Sequence, residues 1–536
     1  MRYNHIELFA GCGGLSLGLE KAGFELLLAN ELSPMASETF AYNFFGEDLK
    51  SIAERKQLPQ HTIWLSSQFS ELKERLRENP LTFPSLETER TISDIPSDAS
   101  ELKGKLVVGS IVQLNKLIND NELIKETIRS GFTKGGVDLV SGGPPCQSFS
   151  MAGMRRKECD KNMLPWEFAK FVTLSNPKVA LLENVTGILR PFTEDNGHKF
   201  YAWFEVAKVF ASIGYVPICL HINARLVGIP QNRPRFIMIS IREDVCNKLL
   251  ASLNDSEHDF KIIMASFNFY LSVKECIDSV TLDSIPLHDI SAGKDVSVFK
   301  KSQILHHLVL NDYNSAVSVC EALDDIKVNN PSEPSVYVNK INRIFNGNIC
   351  HSNNDFCNHE FRSNSKKVRA RFRIYQVINL IDDKKIEKNI LGIMRQSQKS
   401  IDDYAWDIVK KYNFLDKDNN YVKFKDKYKF EKYLSDFATK KQTQKALSAT
   451  SPAPAALSIP DDACHYDDHE LRVLTVREMA RIQSFPDRFV FRSKITTGGQ
   501  MRKYEVPQYT QVGNAVPPLL GLALGNTIKS ILDLVN

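Results

Sequence analysis

A chain of 536 residues with 43% hydrophobic and 25% charged residues has room for more than one core and the balance of an ordinary globular protein. A formal net charge of +4 suits a polyanionic partner without demonstrating one, and ten cysteines without regular spacing argue against a disulfide framework. The amino end, Met1-Arg2-Tyr3-Asn4-His5, lacks the apolar region of a signal peptide, and no apolar stretch reads as long enough to span a bilayer, so an intracellular chain away from membranes is expected.

Residues 6–10 read as a first strand, Gly11-Cys12-Gly13-Gly14 as a turn, and residues 15–22 as a helix with Leu15, Leu19 and Ala22 at helical spacing and Gly23 as its stop. Glycines between a first strand and a first helix let backbone N–H groups approach a ligand closely. A second apolar run, residues 26–29, ends in Asn30-Glu31, and a carboxylate there suits ribose hydroxyls, about 20 residues after the turn. The Gly-x-Gly-Gly spacing is not the Gly-x-Gly-x-x-Gly of a dinucleotide site, which tilts the ligand toward an adenosine compound without phosphates. Residues 50–101 are charged and poorly patterned, with a helical piece at 69–76, and read as a surface insertion. A third strand at 106–108 ends in Gly109-Ser110-Ile111, where Ser110 could bond an adenine edge.

Val137-Asp138-Leu139-Val140 reads as a buried strand leading into Ser141-Gly142-Gly143-Pro144-Pro145-Cys146. Two glycines allow a sharp bend and two prolines stiffen the exit, which presents Cys146 at a strand's carboxyl end, where open α/β sheets hold ligands. Taken alone, such a cysteine is a buried structural thiol. A helix from Leu164, with Pro165 in its first turn, precedes the strand at 179–182, which delivers Glu183-Asn184-Val185. Glu183 could cap a helix N-terminus, or pair as a proton donor with a nucleophile on the adjacent strand. Residues 215–222 and 235–241 read as the last two strands. Between them, alternation puts Gln231, Arg233 and Arg235 on one side of an extended segment, suited to phosphate, carboxylate or a base carbonyl, or else to a surface salt-bridge patch.

These blocks, in this order, resemble the DNA (cytosine-5) methyltransferases: Phe9-Ala10-Gly11-Cys12-Gly13-Gly14, Gly142-Gly143-Pro144-Pro145-Cys146-Gln147-Ser148-Phe149-Ser150, Glu183-Asn184-Val185 and Gln231-x-Arg233-x-Arg235. Arg472-Val473-Leu474-Thr475-Val476-Arg477-Glu478 and Gln511-Val512-Gly513-Asn514-Ala515-Val516-Pro517-Pro518 follow. The resemblance implies a Rossmann-like, doubly wound α/β methyltransferase sheet in a discontinuous catalytic domain, 1–242 with 503–536, and a smaller mixed target-recognition domain at 243–502. It implies that the Cys146 thiolate adds to cytosine carbon 6, that Glu183 bonds or protonates ring nitrogen 3, and that Arg235 binds the base carbonyl with Arg233 in support. S-adenosylmethionine would lie against Phe9, Ala10, Gly11, Gly13, Gly14, Glu31, Ser110, Ile111, Leu164 and Asn514. At position 110 the family commonly has Asp, so Ser110 departs from its pattern. Gln147, Ser148, Ser150 and Gln231 would contact double-stranded DNA, whose target base must leave the stack.

The remaining middle is basic and aromatic by turns. Lys366-Lys367-Val368-Arg369-Ala370-Arg371-Phe372-Arg373 leads a helix whose apolar stripe is Val368, Phe372, Tyr375 and Ile378, and lysines interleave with aromatics at 410–445. Cys350-His351 and Cys357-x-His359 match no standard zinc spacing, so no metal is expected. Residues 451–460, rich in Pro, Ala and Ser, read as an extended connector or a DNA-facing loop, and Gly498-Gly499 with Arg502-Lys503 as a backbone-contacting turn. The expectation is a monomeric, cytoplasmic, nucleoid-associated enzyme of bacterial or phage restriction–modification type, with an endonuclease acting separately or none. The same chemistry on tRNA, and a non-catalytic DNA-binding relative, are the alternatives. Residues 146–150 and the basic middle favour DNA.

Overall fold

The computed structural model describes residues 3–145, 163–193, 199–254, 257–312, 315–439, 444–455 and 463–536. Its strands up to residue 289 are β1 Tyr3–Leu8, β2 Phe24–Glu31, β3 Thr62–Trp64, β4 Lys105–Val108, β5 Leu139–Gly142, β6 Val179–Val185, the short pair β7 Phe192–Thr193 and β8 Lys199–Phe200, β9 Tyr215–Asn223, β10 Pro234–Arg242 and β11 Leu287–Asp289. Nine of them form one sheet in the order β11-β9-β10-β6-β5-β1-β2-β4-β3. Every neighbouring pair in it is parallel except those made by β10, which runs antiparallel to both β6 and β9. Strands buried on both faces need continuous apolar runs, and Val179, Ala180, Leu181 and Leu182 of β6 are at most 1% exposed. The chain winds outward from β1 in both directions, so the switch point lies between β1 and β5.

Helix α1, Gly14–Ala22, starts at Gly13 and stops at Gly23, both in left-handed backbone. It packs on the helix Pro518–Val535 at backbone distance: a Cβ on Gly18 would stand 2.4 Å from the Gly521 carbonyl carbon. That C-terminal helix corrects one sequence reading. With 18 residues and a hydropathy of 1.3 it is long and apolar enough to cross a membrane, and 61% of it is buried inside the fold.

Two further readings change. Residues 50–101 are not wholly a surface insertion, because β3 within them closes the sheet edge beside β4 and its Trp64 is fully buried. The limits 242 and 503 also fail to match the cores. The main core continues through β11 to Ile349 and resumes from Leu447 to Leu532, while a second core spans Ala370 to Val473. The helix Lys366–Ile381 buries Phe372, Tyr375 and Ile378 there, as its stripe predicts. Most aromatics at 414–437 are core as well: Phe414, Phe430, Tyr433 and Phe437 pack on one another, while Tyr421, Tyr428 and the lysines lie outside.

Candidate active site

The glycine turn leaves β1 with Phe9 and Gly11 at φ 55° and 56°. Phe9 is half-buried, and nothing lies within 4 Å of the place where a Gly11 side chain would stand. Gly13 and Gly14 have no such freedom, since a Cβ would meet the Phe44 ring at 2.3 Å and the Val516 carbonyl at 2.2 Å respectively. Glu31, at the end of β2, accepts from the Gly11 N–H at 2.8 Å and the Ser33 N–H at 2.8 Å. Burial pushes its carboxyl above the ordinary value, against those two N–H groups. Ser110 and Ile111 open the helix Ile111–Asp120 at the end of β4, Ser110 half-exposed and making no side-chain cap. Leu164 begins the helix Leu164–Ser175 and is half-buried.

These residues suit S-adenosylmethionine. The left-handed Gly11 leaves open space over the turn, the half-buried Glu31 retains lone pairs for ribose hydroxyls, and the carboxyl ends of β1, β2 and β4 share one sheet edge.

The other half of the edge lies across the switch point. Parallel pairing puts Gly142 of β5 beside Leu8 of β1 and Leu182 of β6, so the segment leaving β5 runs past the next residue of β6, Glu183. A Cβ on Gly143 would stand 3.0 Å from Glu183 Oε2, and Asn184 Nδ2 donates to the Pro144 carbonyl at 3.1 Å. Cys146, Gln147, Ser148 and Ser150 lie outside the described residues. Because β10 is reversed, its first residues rather than its last reach this edge, and Arg235 pairs with Val185 in register. Arg235 Nε lies 2.7 Å from Glu183 Oε1, with the residues 7% and 8% exposed. Burial pulls the Arg235 guanidinium below its ordinary pKa, and Glu183 opposes the shift.

The structure redirects two expected residues. Gln231, expected on DNA, is fully buried and donates through Nε2 to the Pro454 carbonyl at 3.1 Å. Arg233 is 2% exposed and has no carboxylate partner among the described residues. Its Nη2 donates to the Gly513 and Ala515 carbonyls, each at 2.9 Å. It thus brackets Asn514, which is exposed, and with Arg233 and Arg235 both buried the two guanidiniums do not form a surface salt-bridge patch. The C-terminal block folds back on the glycine turn, with Cys12 Sγ 3.8 Å from the Gln511 carbonyl and the Val516 carbonyl against Gly14. Sequence reasoning missed the Asn184 bond, the contact of Gly143 with Glu183 and the Arg233 clamp; the last could have been sought from a second arginine two residues before the first.

The Cys–His cluster does not assemble around a shared point: the two ring nitrogens of His359 meet Thr475 Oγ1 at 2.9 Å and the Ile326 carbonyl at 3.0 Å, and His351 stacks on Tyr42. Arg472 and Glu478 form a buried two-bond pair at 2.7 and 2.8 Å within the Arg472 block.

The profile of the family described as C-5 cytosine-specific DNA methylase matches residues 3–67 and 110–530. The type II methyltransferase M.DdeI of Desulfomicrobium norvegicum is 25% identical over 553 residues, covering 99% of this chain and 90% of its own length. M.Bpa9945I of Bacillus paralicheniformis is 25% identical, covering 98% of this chain and 99% of its own. M1.HphI of Haemophilus parahaemolyticus is 25% identical over 531 residues, covering 98% and 87%. With the glycine turn, the acid–arginine pair and the returning C-terminal block on one sheet edge, this chain belongs to the C-5 cytosine-specific DNA methylases.

Proposed function

We propose that the chain methylates carbon 5 of a cytosine held out of duplex DNA, with Cys146 as nucleophile, Glu183 as the partner of ring nitrogen 3 and Arg235 as the holder of the base carbonyl. The observation that carries this reading is the buried Glu183–Arg235 pair beside Gly143, three residues before Cys146. Cytosine carbon 5 is a weak nucleophile until its aromaticity is broken. Addition of the Cys146 thiolate to carbon 6, with a hydrogen bond or proton from Glu183 at nitrogen 3, places the electrons on carbon 5. S-adenosylmethionine, when bound, supplies an electrophilic methyl group, and Phe9, Gly11, Glu31 and Asn514 are the residues proposed to hold it. The methylated carbon 5 then gives up its proton to solvent as the Cys146 thiolate is expelled from carbon 6, which restores the ring. Arg235 keeps the base in plane and holds Glu183 in one orientation, so that little reorganisation accompanies the reaction.

The second core, Ala370 to Val473, is the proposed target-recognition region. Its lysines lie outside an aromatic interior, where they can meet phosphates. Gln147, Ser148 and Ser150 keep their proposed backbone contacts to DNA. A monomer, with a cognate endonuclease acting separately or none, completes the reading.

Incorporation of labelled methyl groups into duplex DNA and into tRNA tests it, with bisulfite sequencing to map the modified base. Transfer to DNA that Cys146→Ala abolishes is expected. Transfer to tRNA alone, or full activity of Cys146→Ala, would overturn the assignment.

A further inference from the structure

The connector into the second core is bonded to the catalytic sheet just upstream of Arg235. Ala453 donates its N–H to the Pro230 carbonyl at 2.9 Å and accepts from the Asn232 N–H at 2.7 Å, a parallel bridge opposite Gln231. The Gln231 side chain, fully buried, adds the bond to the Pro454 carbonyl, and its Oε1 has no hydrogen-bond partner among the described residues. An orphaned buried acceptor is a cost that packing alone gives no reason to keep. At its other end the segment is tied to the second core, where Asn379 Nδ2 donates to the carbonyls of Ala446 and Leu447 at 2.8 and 3.0 Å. Two residues past Gln231 stands Arg233 on the Asn514 turn, and four past it Arg235 on Glu183. Few rotatable links therefore separate the second core from both halves of the active edge.

We propose that Gln231 is a positioning residue: it locks the 451–455 connector onto the strand that carries Arg233 and Arg235, so that seating of DNA on the second core sets the base-handling pair. This rests on the methylase reading above. Gln231→Met keeps the shape and removes the amide donor. Gln231→Glu keeps the shape but donates only when protonated.

For Gln231→Met, kcat on duplex DNA falls about ten- to hundredfold, while equilibrium binding of DNA and of S-adenosylmethionine changes less than about threefold. Amide hydrogen exchange at 230–235 and 449–455 rises together. For Gln231→Glu, burial raises the introduced carboxyl's pKa. Its kcat relative to wild type therefore recovers as pH falls from about 8 to about 6, when an O–H can again meet the Pro454 carbonyl. The Met variant shows no such recovery.

A Gln231→Met kcat within about twofold of wild type, with exchange unchanged, overturns the coupling; so does a Gln231→Glu ratio flat with pH, which decides the matter if the Met variant fails to fold. A wild-type chain that transfers no methyl group overturns the methylase reading instead, and the exchange comparison still decides whether Gln231 locks the connector.

Discussion

Neutralising both members of the Glu183–Arg235 pair should cost less stability than the two single neutralisations summed. At 2.7 Å, with an effective dielectric of about 20, the attraction is about 6 kcal/mol, most of which offsets the desolvation of two buried charges. Glu183→Gln leaves the Arg235 guanidinium buried without its counter-charge and with Arg233 still repelling it, and a broken buried pair costs about 3–5 kcal/mol. Arg235→Met leaves the carboxylate stranded in the same way. The double variant Glu183→Gln/Arg235→Met strands neither, so its loss should fall short of the summed single losses by about 2 kcal/mol or more. Activity behaves differently. Each single change removes a group proposed to act on the base, which should lower kcat by about a hundredfold or more, and the double variant should recover none of it. Urea unfolding of the four proteins and their rates of methyl incorporation into duplex DNA supply both numbers. Additive stability losses would refute the buried ion pair as the structural element, and recovered activity in the double variant would refute its chemical role.

The two glycines after β5 should separate fold from chemistry. In Gly142→Ala the new methyl meets the Leu8 carbonyl at 2.8 Å and the Phe168 ring at 2.9 Å, so unfolding midpoints in urea should report a loss of about 1–3 kcal/mol. In Gly143→Ala it meets only the movable end of Glu183 at 3.0 Å, so kcat should drop with stability nearly unchanged. Glu7, buried in β1 against Ser16, has its pKa raised to about 8 by burial from 4.5, so the stability of its protonated form is fully present below 4.5 and lost as pH rises through about 8. Glu7→Gln should therefore stabilise by about 2 kcal/mol or more in urea unfolding at pH 8 and by little at pH 5. His5, fully buried with no hydrogen-bond partner for either ring nitrogen among the described residues, has its pKa lowered by burial from 6.5 to about 3, so its contribution is present above 6.5 and lost as pH falls. His5→Leu should remove about 2 kcal/mol of the stability lost between pH 7 and pH 5, measured by the same unfolding curves.

The strands that build the site were legible because each is a short apolar run closed by a glycine or a charged residue, as at Gly11, Glu31 and Glu183. Left-handed Gly13 and Gly23 at the two ends of α1 were equally plain. β3 was not, since three residues in a charged surround carry no period, and Trp64 is buried by tertiary contact with β4 rather than by its own pattern. Nor was the fate of Gln231 and Arg233. Alternation put them on the same side as Arg235, but whether that side faces DNA or interior depends on residues 453–454 and 513–515, which lie over 200 positions away in sequence. The aromatics at 414–437 were ambiguous for a related reason: lysine–aromatic interleaving serves a packed helix with snorkelling lysines as well as a base-stacking surface.

The reversal of β10 explains how such distant blocks come to share one chemistry. In an all-parallel sheet only strand ends reach the ligand edge, so an arginine at a strand's start would face the opposite side. Inverting one strand next to β6 brings the start of β10 to the end of β6, and the register Ile237 to Glu183 fixes Arg235 two residues further along, at the acid. The same inversion puts the loop between β9 and β10, with Gln231 and Arg233, on the ligand edge, where it can bind both the connector of the second core and the Asn514 turn. The proposed base-handling residues thus lie on β5, β6 and β10 on one side of the switch point, and the proposed cofactor residues at the ends of β1, β2 and β4 on the other. The two sets meet along the line between β1 and β5, where Gly142 lies beside Leu8 with no room for a side chain.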